Sequence, residues 1–452
     1  MPETAYVATA AVLLAAWAWV TRVAGPNAGL GAGVLLASLA PTWLQTRVMG
    51  QPVDCQTLVA GVGLLWLCVD RRGRIRSPLV VLDGLIAAMV VWQFLSDSRA
   101  EGASATLAVR SYGEWAFPYL AGRLALRSPV GTAAVTPWGA GTLVAVSLLT
   151  AVELLAGVNP FDAVYGPPAE LDFPRDVVRF GLKRAMGPTE HPIFLGSMLL
   201  LLMPWAVALW NTRGRRRWAA IAIACGLAGI CATLSRGPVL ATGVAAVSLA
   251  AVKWRRLRWP AAIAAALLVA VVAVIPTRVA LTLSRFGDQD RQRTDVEIGD
   301  RRYEISGSLQ RVQLVRAWWP AVVEAGPLGF GTARTKGFPP MVPGRPEDAR
   351  TLDLLRYIDN AYMLVAMRLG WVGAGLSLGI FVTAAVSAFR LVEDRSMLGL
   401  PAALGAVMVA IVPLLTTVHL NYEFGFELIA ACGFAGALAS SARAARTGRL
   451  MT

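Results

Sequence analysis

Charged residues are scarce in this sequence. Only 15% of its 452 residues are Asp, Glu, Lys or Arg, whereas soluble domains usually carry about 25%. Hydrophobic residues make up 56% of the chain, and the mean hydropathy is +0.57. The apolar residues also come in blocks long enough to cross a hydrocarbon core, which takes roughly 17 to 25 residues per helix. This balance argues against a water-soluble fold.

Cysteine and histidine are rare as well. The chain has two histidines and five cysteines, and the cysteines lie in or beside apolar segments without CxxC spacing. They therefore indicate small core residues rather than a disulfide framework or a zinc site. These cysteines are Cys55, Cys68, Cys225, Cys231 and Cys432. No basic region precedes the first apolar segment, so we expect no cleaved signal peptide.

Thirteen apolar blocks are candidate transmembrane helices. They span 5–21, 30–44, 58–69, 78–95, 108–126, 131–156, 192–210, 218–234, 238–252, 259–275, 361–389, 398–418 and 424–440. The first two are short enough to form one re-entrant pair, and the block 108–126 carries Arg110, Glu114 and Arg123. We therefore predict an all-α polytopic membrane protein of about 12 helices, either twelve or thirteen.

The distribution of arginine predicts the orientation, because short cytoplasmic loops concentrate Lys and Arg. Basic runs at 71–76, 213–217 and 253–258 mark the cytoplasm. The predicted organisation is transmembrane helices with short loops over 1–275, including an outer loop near 158–191, then a large extracytoplasmic loop with amphipathic helices over 276–359. C-terminal transmembrane helices follow over 360–440 and a cytoplasmic tail over 441–452. The formal charge of +14 is explained by these short loops, so we expect no nucleic acid partner.

The large outer loop contains an apolar pattern at helical spacing over 308–325, with Arg311 and Arg316, which predicts an amphipathic helix along the membrane surface. The sequence GPLGFG follows over 326–331. Its glycines permit a helix stop and a tight turn, or alternatively a close approach to phosphate. The Asp288–Asp290 motif resembles a metal motif of nucleotide-sugar enzymes, but no supporting ligands accompany it. We predict no metal and no cofactor.

Polar residues gather where the other outer connections meet apolar helices. His191 precedes a proline at a helix start and Arg236 lies between two apolar blocks with almost no loop, while Asp359 and Asn360 stand before the block 361–389. Each has a structural alternative: helix capping for His191, Asp359 and Asn360, and snorkelling to the interface for Arg236. Several arginines facing one or two potential bases are also what a phosphate-bearing lipid substrate requires.

The order of these motifs resembles the O-antigen ligase and O-antigen polymerase superfamily of bacterial membrane glycosyltransferases, from about residue 183 to 379. Four elements carry the resemblance, and the third and fourth are separated by part of the long outer loop. They are Arg184, Gly187, His191 and Pro192; Thr233, Ser235 and Arg236; Arg311 with 327–331; and Asp359, Asn360, Tyr362, Met363, Gly370 and Gly373. Ligases of this family carry a histidine where this chain has Asp359, which favours a polysaccharide polymerase, or a ligase to another acceptor, over a strict lipid A-core ligase.

The resemblance implies an inverting, metal-independent transfer from a glycan on undecaprenyl diphosphate to a glycan or lipid acceptor, at the outer face of the bacterial plasma membrane. It implies that Arg184, Arg236 and Arg311 bind the diphosphate, and that Asp359 with Asn360, or His191, acts as the base. Membrane lipids and other polysaccharide assembly proteins are the further expected partners. A secondary transporter or a lipid-linked oligosaccharide flippase is the alternative, although the sequence has no clear internal repeat and its polar residues gather at one face.

Overall fold

The structure is a computed structural model, and it describes residues 2–48, 51–69, 78–126, 129–168, 178–254, 294–298, 301–305, 307–391, 399–420 and 422–446. Most of these residues are helical, as predicted. The helices are α1 (Pro2–Ala24), α2 (Pro26–Ala37), α3 (Cys55–Val69), α4 (Val81–Glu101), α5 (Ala105–Ser111), α6 (Phe117–Ala125), α7 (Pro129–Ala156), α8 (Pro160–Tyr165), α9 (Pro192–Trp210), α10 (Arg216–Ala232), α11 (Arg236–Lys253), α12 (Gly307–Ala325), α13 (Thr332–Thr335), α14 (Ala349–Leu354), α15 (Ala361–Phe389), α16 (Leu400–Leu414) and α17 (Tyr422–Arg446).

Within these ranges, three antiparallel hairpins interrupt the helices. They pair β1 (Gln45–Val48) with β2 (Gln51–Asp54), β3 (Val178–Arg179) with β4 (Leu182–Lys183), and β5 (Thr294–Ile298) with β6 (Arg301–Ile305). Each lies in a polar connection between apolar helices, where backbone groups need partners that a helix does not supply. The all-α prediction did not include these hairpins.

Six of the described helices are long and apolar enough to cross a membrane: Glu3–Ala24, Val81–Glu101, Val130–Ala156, Pro192–Trp210, Ala361–Phe389 and Phe424–Ala444. Shorter apolar helices occupy Pro26–Ala37, Cys55–Val69 and Leu400–Leu414. The predicted block 259–275 and the basic runs at 71–76 and 255–258 lie outside the described residues. Twelve or thirteen crossings therefore stays a prediction.

Two helices form the centre of the bundle. The apolar windows of Pro192–Trp210 and Phe424–Ala444 are each 83% buried inside the protein, against 22% for Glu3–Ala24. Apolar side chains on the outer helices face outward, among them Val12, Trp19 and Val91. An exposed apolar surface of this extent is suited to lipid rather than water.

The weak block 108–126 is one interrupted helix, in which a π-helical segment, Tyr112–Ala116, joins α5 to α6. Its Arg123 is buried and paired with Asp83 of α4, with 3.1 Å between Nε and Oδ1. Tyr119 donates a second hydrogen bond to the same carboxylate at 2.7 Å. The charge of Arg123 is therefore neutralised within the bundle by a paired carboxylate.

Two helix ends differ from the predicted blocks. The helix predicted over 30–44 ends at Ala37, since a turn and the β1–β2 hairpin follow it. At the other end of the chain, the helix predicted over 424–440 continues to Arg446. Ala442 and Ala444 are buried, so packing extends α17 beyond its most apolar stretch. The cytoplasmic position of residues 441–452 stays a prediction.

Candidate functional site

Four helix ends meet at one place in the bundle. The start of α15 is fixed to the end of α16, because the Ala361 amide donates to the Leu415 and Val418 carbonyls at 2.8 and 2.9 Å. The start of α11 packs at the same place. A Cβ built on Gly237 would lie 3.0 Å from Leu414, the last residue of α16, and 3.6 Å from Ile193 of α9. Thus α9, α11 and α15 begin where α16 ends, and helix N-termini favour negative charge.

Arg184 lies in the segment that enters α9. The turn of the β3–β4 hairpin precedes it and contains Phe180 and Gly181, which both have positive φ. Its buried guanidinium donates from Nε to the Thr233 carbonyl at 3.1 Å and from Nη2 to Ser235 Oγ at 2.6 Å. Arg184 is therefore fixed to the turn between α10 and α11.

That turn contains Leu234, a non-glycine residue with a left-handed φ of 48°. The conformation is sparsely populated for side chains of this type. The Leu234 carbonyl accepts a hydrogen bond from Arg179 Nη1 at 2.6 Å, beside the Thr233 carbonyl bound by Arg184. Two arginines of the entering segment thus hold the turn that precedes Arg236.

Arg236 is the first residue of α11 and is half-buried. Its neighbour Ser235 is the side chain that Arg184 binds. The sequence predicted Arg184 and Arg236 at one mouth, and the structure brings Arg184 to the residue that precedes Arg236.

His191 is the N-cap of α9. Its Nδ1 accepts a hydrogen bond from the Ile193 amide at 3.2 Å. Burial, and then the positive charge of Arg184, lower the pKa of His191 to about 3. The imidazole is therefore neutral at physiological pH, and the capping role weighed from the sequence is the role that the geometry shows.

Asn360 is likewise a helix cap, since its Oδ1 accepts from the Met363 amide at 3.1 Å at the start of α15. The preceding residue, Asp359, has a side chain that is 41% exposed and lies 3.6 Å, Oδ1 to Nδ1, from His419. Burial acts to raise the pKa of Asp359, but the His419 imidazole and the Arg311 charge outweigh it and lower that pKa. Asp359 is thus held as a carboxylate.

Arg311 reaches the same group from α12. This helix is fixed to the chain before α15 by Trp318, whose Nε1 donates to the Leu355 carbonyl at 2.9 Å, and by Gln310, which donates to the Leu354 carbonyl at 3.0 Å. Its outer face exposes apolar side chains such as Trp319. A helix at the predicted position, 308–325, is therefore confirmed, and the charge of Arg311 acts on both Asp359 and His191.

The glycine loop 326–331 is a structural turn. Its Phe330 and Gly331 amides donate to the Met367 and Arg368 carbonyls at 2.8 and 2.9 Å, where α15 is broken at Gly370. Because those amides are used within the chain, the geometry favours the turn over the phosphate alternative.

His419 was not predicted as a site residue. It follows α16 and is buried, with ring contacts to Phe194 at 5.1 Å and Phe338 at 5.2 Å between centroids. Its position directly after the predicted block 398–418, in a chain with two histidines, was the available signal.

Among the described residues, no group of three or more His, Cys, Asp or Glu side chains is arranged to hold a metal ion. The Asp288–Asp290 motif lies outside the described residues.

A bundle of apolar helices with one charged mouth defines a multi-pass membrane protein with a polar site at the helix ends. Residues 221–378, about a third of the chain, match the family model of the O-antigen ligase. This match supports the O-antigen ligase family that the motifs predicted, and that family implies a glycosyl-transferring enzyme of polysaccharide assembly. No curated protein matches the chain. The matched segment contains Arg236, Arg311 and Asp359, while Arg184, His191 and His419 lie outside it.

Proposed function

We propose that the chain moves a glycan from an undecaprenyl-diphosphate donor onto an acceptor hydroxyl at the outer face of the bacterial plasma membrane, polymerising or ligating a surface polysaccharide. The observation that carries the proposal is the meeting of cationic side chains with one carboxylate where α9, α11 and α15 begin. An anionic diphosphate and a hydroxyl are the substrates that such a mouth suits.

In this mechanism the arginines bind the leaving diphosphate. The donor loses its diphosphate as negative charge develops on the departing oxygen, and Arg184, Arg236 and Arg311 stabilise that charge. The bonds from Arg184 to the Thr233 carbonyl and the Ser235 hydroxyl go to neutral groups. They fix the guanidinium in place. Arginines in this role do not require a metal ion beside them.

Asp359 is the better general base of the proposed pair. A base must be within reach of the hydroxyl and in its unprotonated form. The partly exposed Asp359 carboxylate suits both conditions, whereas His191 uses Nδ1 to cap α9. Asn360 fixes the backbone beside Asp359, and His191 contributes a neutral imidazole. A single displacement by the acceptor oxygen inverts the anomeric carbon.

The acceptor is a glycan or a lipid-linked glycan that reaches the site from the outer leaflet. In this arrangement α12, with its outward Trp319, lies along that leaflet above the bundle. Other polysaccharide assembly proteins are the further partners of this proposal.

Reconstitution tests this function. The purified chain is placed in proteoliposomes with an undecaprenyl-diphosphate oligosaccharide and an acceptor, in EDTA, and both glycan transfer and release of undecaprenyl diphosphate are measured. We expect both in equal amounts. Failure to release undecaprenyl diphosphate with every acceptor would contradict the proposal. In cells, an Arg236→Ala variant that blocks uptake of a solute and leaves the envelope glycans intact would favour the transporter.

Arg311 and Arg316 provide a matched pair for the donor site, since both lie on α12 but Arg316 is exposed. Arg311→Ala, like Arg236→Ala, is expected to weaken donor binding by about tenfold or more, with little change in acceptor KM. Arg316→Ala should behave as wild type. Equal losses in Arg311→Ala and Arg316→Ala would remove Arg311 from the donor site.

A further inference from the structure

The Asp359 carboxylate has a buried partner that no sequence motif assigns. His419 Nδ1 lies 3.6 Å from Asp359 Oδ1, and the two side chains are 6% and 41% exposed. The carboxylate thus faces outward while the imidazole lies behind it. This arrangement is typical of a base and the group that orients it.

The His419 ring is fixed on two sides. Phe194 of α9 contacts it edge-on at 5.1 Å with an interplanar angle of 89°, and Phe338 contacts it at 5.2 Å and 64°. The neighbouring backbone is also tied to α15, because the Val418 carbonyl accepts from the Ala361 amide at 2.9 Å. Asp359 and His419 are therefore held on two elements that are bonded to each other.

We propose that His419 is the positioning residue of Asp359: its imidazole, with Nδ1 3.6 Å from the carboxylate, turns that carboxylate toward the acceptor hydroxyl. This inference rests on the proposed glycan transfer. In that step the hydroxyl proton moves to Asp359 and the acceptor oxygen bonds to the anomeric carbon. The bond from that carbon to the diphosphate oxygen breaks, and its electron pair leaves with the diphosphate. Asp359 then returns its proton to solvent.

The titratable and charged groups around Asp359 determine the expected pH dependence of the transfer rate. His419, Arg311 and His191 face it, and they oppose the effect of burial on its pKa. Removing the His419 imidazole therefore raises the pKa of Asp359. Since the base works only when ionised, the acid limb of the transfer rate should move to higher pH.

Two substitutions separate the nitrogen of His419 from its packing. His419→Phe keeps an aromatic ring between Phe194 and Phe338, and we expect kcat to fall by about a hundredfold with donor KM unchanged and the acid limb displaced. His419→Asn restores an N–H donor and should recover much of kcat. Wild-type kcat and an unmoved acid limb in His419→Phe would overturn the inference.

A second readout does not depend on transfer. The chain has two histidines, so ring-labelled histidine in nanodiscs gives two NMR signals, and His191→Asn assigns them. Asp359→Asn should shift the His419 signal, whereas Asp353→Asn, which alters an acid that is 77% exposed, should not. An unmoved His419 signal in Asp359→Asn overturns the pairing even if transfer is observed, while a moved signal without any transfer means that the proposed function alone has failed.

Discussion

Two segments lead into the site and are fixed by different chemistry. The loop 326–331 is held by its backbone: its amides bond to the carbonyls at the break in α15, and Ser96 of α4 donates to the Leu328 carbonyl at 2.6 Å. The segment 183–191 is held mainly by side chains, with Arg184 bound to the turn before α11 and the Gly187 amide bound to Glu153 at 2.8 Å.

The difference separates the two motifs by the kind of contact that holds each of them. A backbone clamp needs glycine and brings no charge, so the loop 326–331 gives shape to the bundle. An arginine clamp brings a cationic side chain, so the segment 183–191 places a guanidinium at the mouth. A larger side chain should therefore disrupt the contacts of the loop 326–331, whereas loss of the arginine should impair the segment 183–191.

The largest effect is expected at Gly370. Its φ is 72°, and a Cβ at this position would collide with the backbone of Pro327. Gly370→Ala should therefore prevent folding or cost several kcal/mol, above the roughly 1–3 kcal/mol of a strained residue alone. The measurement is the yield of monodisperse protein in detergent and its unfolding temperature.

Gly375 is the matched control for that experiment. It lies on the same helix, and nothing is within 4 Å of its added Cβ. Gly375→Ala should be neutral or stabilising by about 0.5–1 kcal/mol, because alanine favours a helix interior. If both alanine variants fold equally well, the backbone clamp does not fix α15.

At Arg184 we expect an effect on the transfer rate as well as on stability. Arg184→Ala removes bonds to Thr233 and Ser235 worth about 1.5–3 kcal/mol each for a charged donor and removes a cation from the mouth. We expect a folded protein whose transfer rate is lower by about a hundredfold. Initial rates and donor binding in proteoliposomes measure it.

Arg179→Ala is the control that distinguishes the structural role of Arg184 from its charge. It bonds to the same turn through the Leu234 carbonyl but is not among the proposed donor ligands. Arg179→Ala should lower stability and leave most of the transfer rate. Equal rate losses in Arg179→Ala and Arg184→Ala would mean that the segment 183–191 contributes position only.

The apolar blocks predicted the positions of several helices well. They predicted the helix ends less accurately. The block 192–210 coincides with α9 and the block 361–389 with α15, because a proline or an asparagine cap marks each start. The break at Gly370 was not predicted, since it is stabilised by carbonyl contacts with residues 326–331 that lie far away in sequence.

The candidate site residues were chosen from the sequence by type and position, and their roles stay predictions. The charges of Arg184, Arg311 and Asp359 all act on His191. The pairing of His419 with Asp359 depended on tertiary geometry. His419 follows α16 and Asp359 precedes α15, and the Ala361 contacts between these helices bring the two side chains together. No local sequence pattern links such a pair.

The smallest effect is expected at His191, which ends the arginine-fixed segment. Its pKa is lowered to about 3 from 6.5, so between those values the unfolded chain binds this proton more readily than the folded chain. Stability contributed by neutral His191 is therefore lost as pH falls through that range. Unfolding temperatures across this range should fall less steeply for His191→Asn, which keeps a cap for α9 and removes the titration, than for wild type.

The cap itself is tested by a second variant at the same position. His191→Ala should lose about 1 kcal/mol, because alanine cannot accept the hydrogen bond of the Ile193 amide, whereas His191→Asn should keep both the cap and most of the transfer rate. A loss of transfer in His191→Asn as large as in Asp359→Asn would instead make the imidazole part of the chemistry, and the segment 183–191 would then supply a reacting group as well as charge.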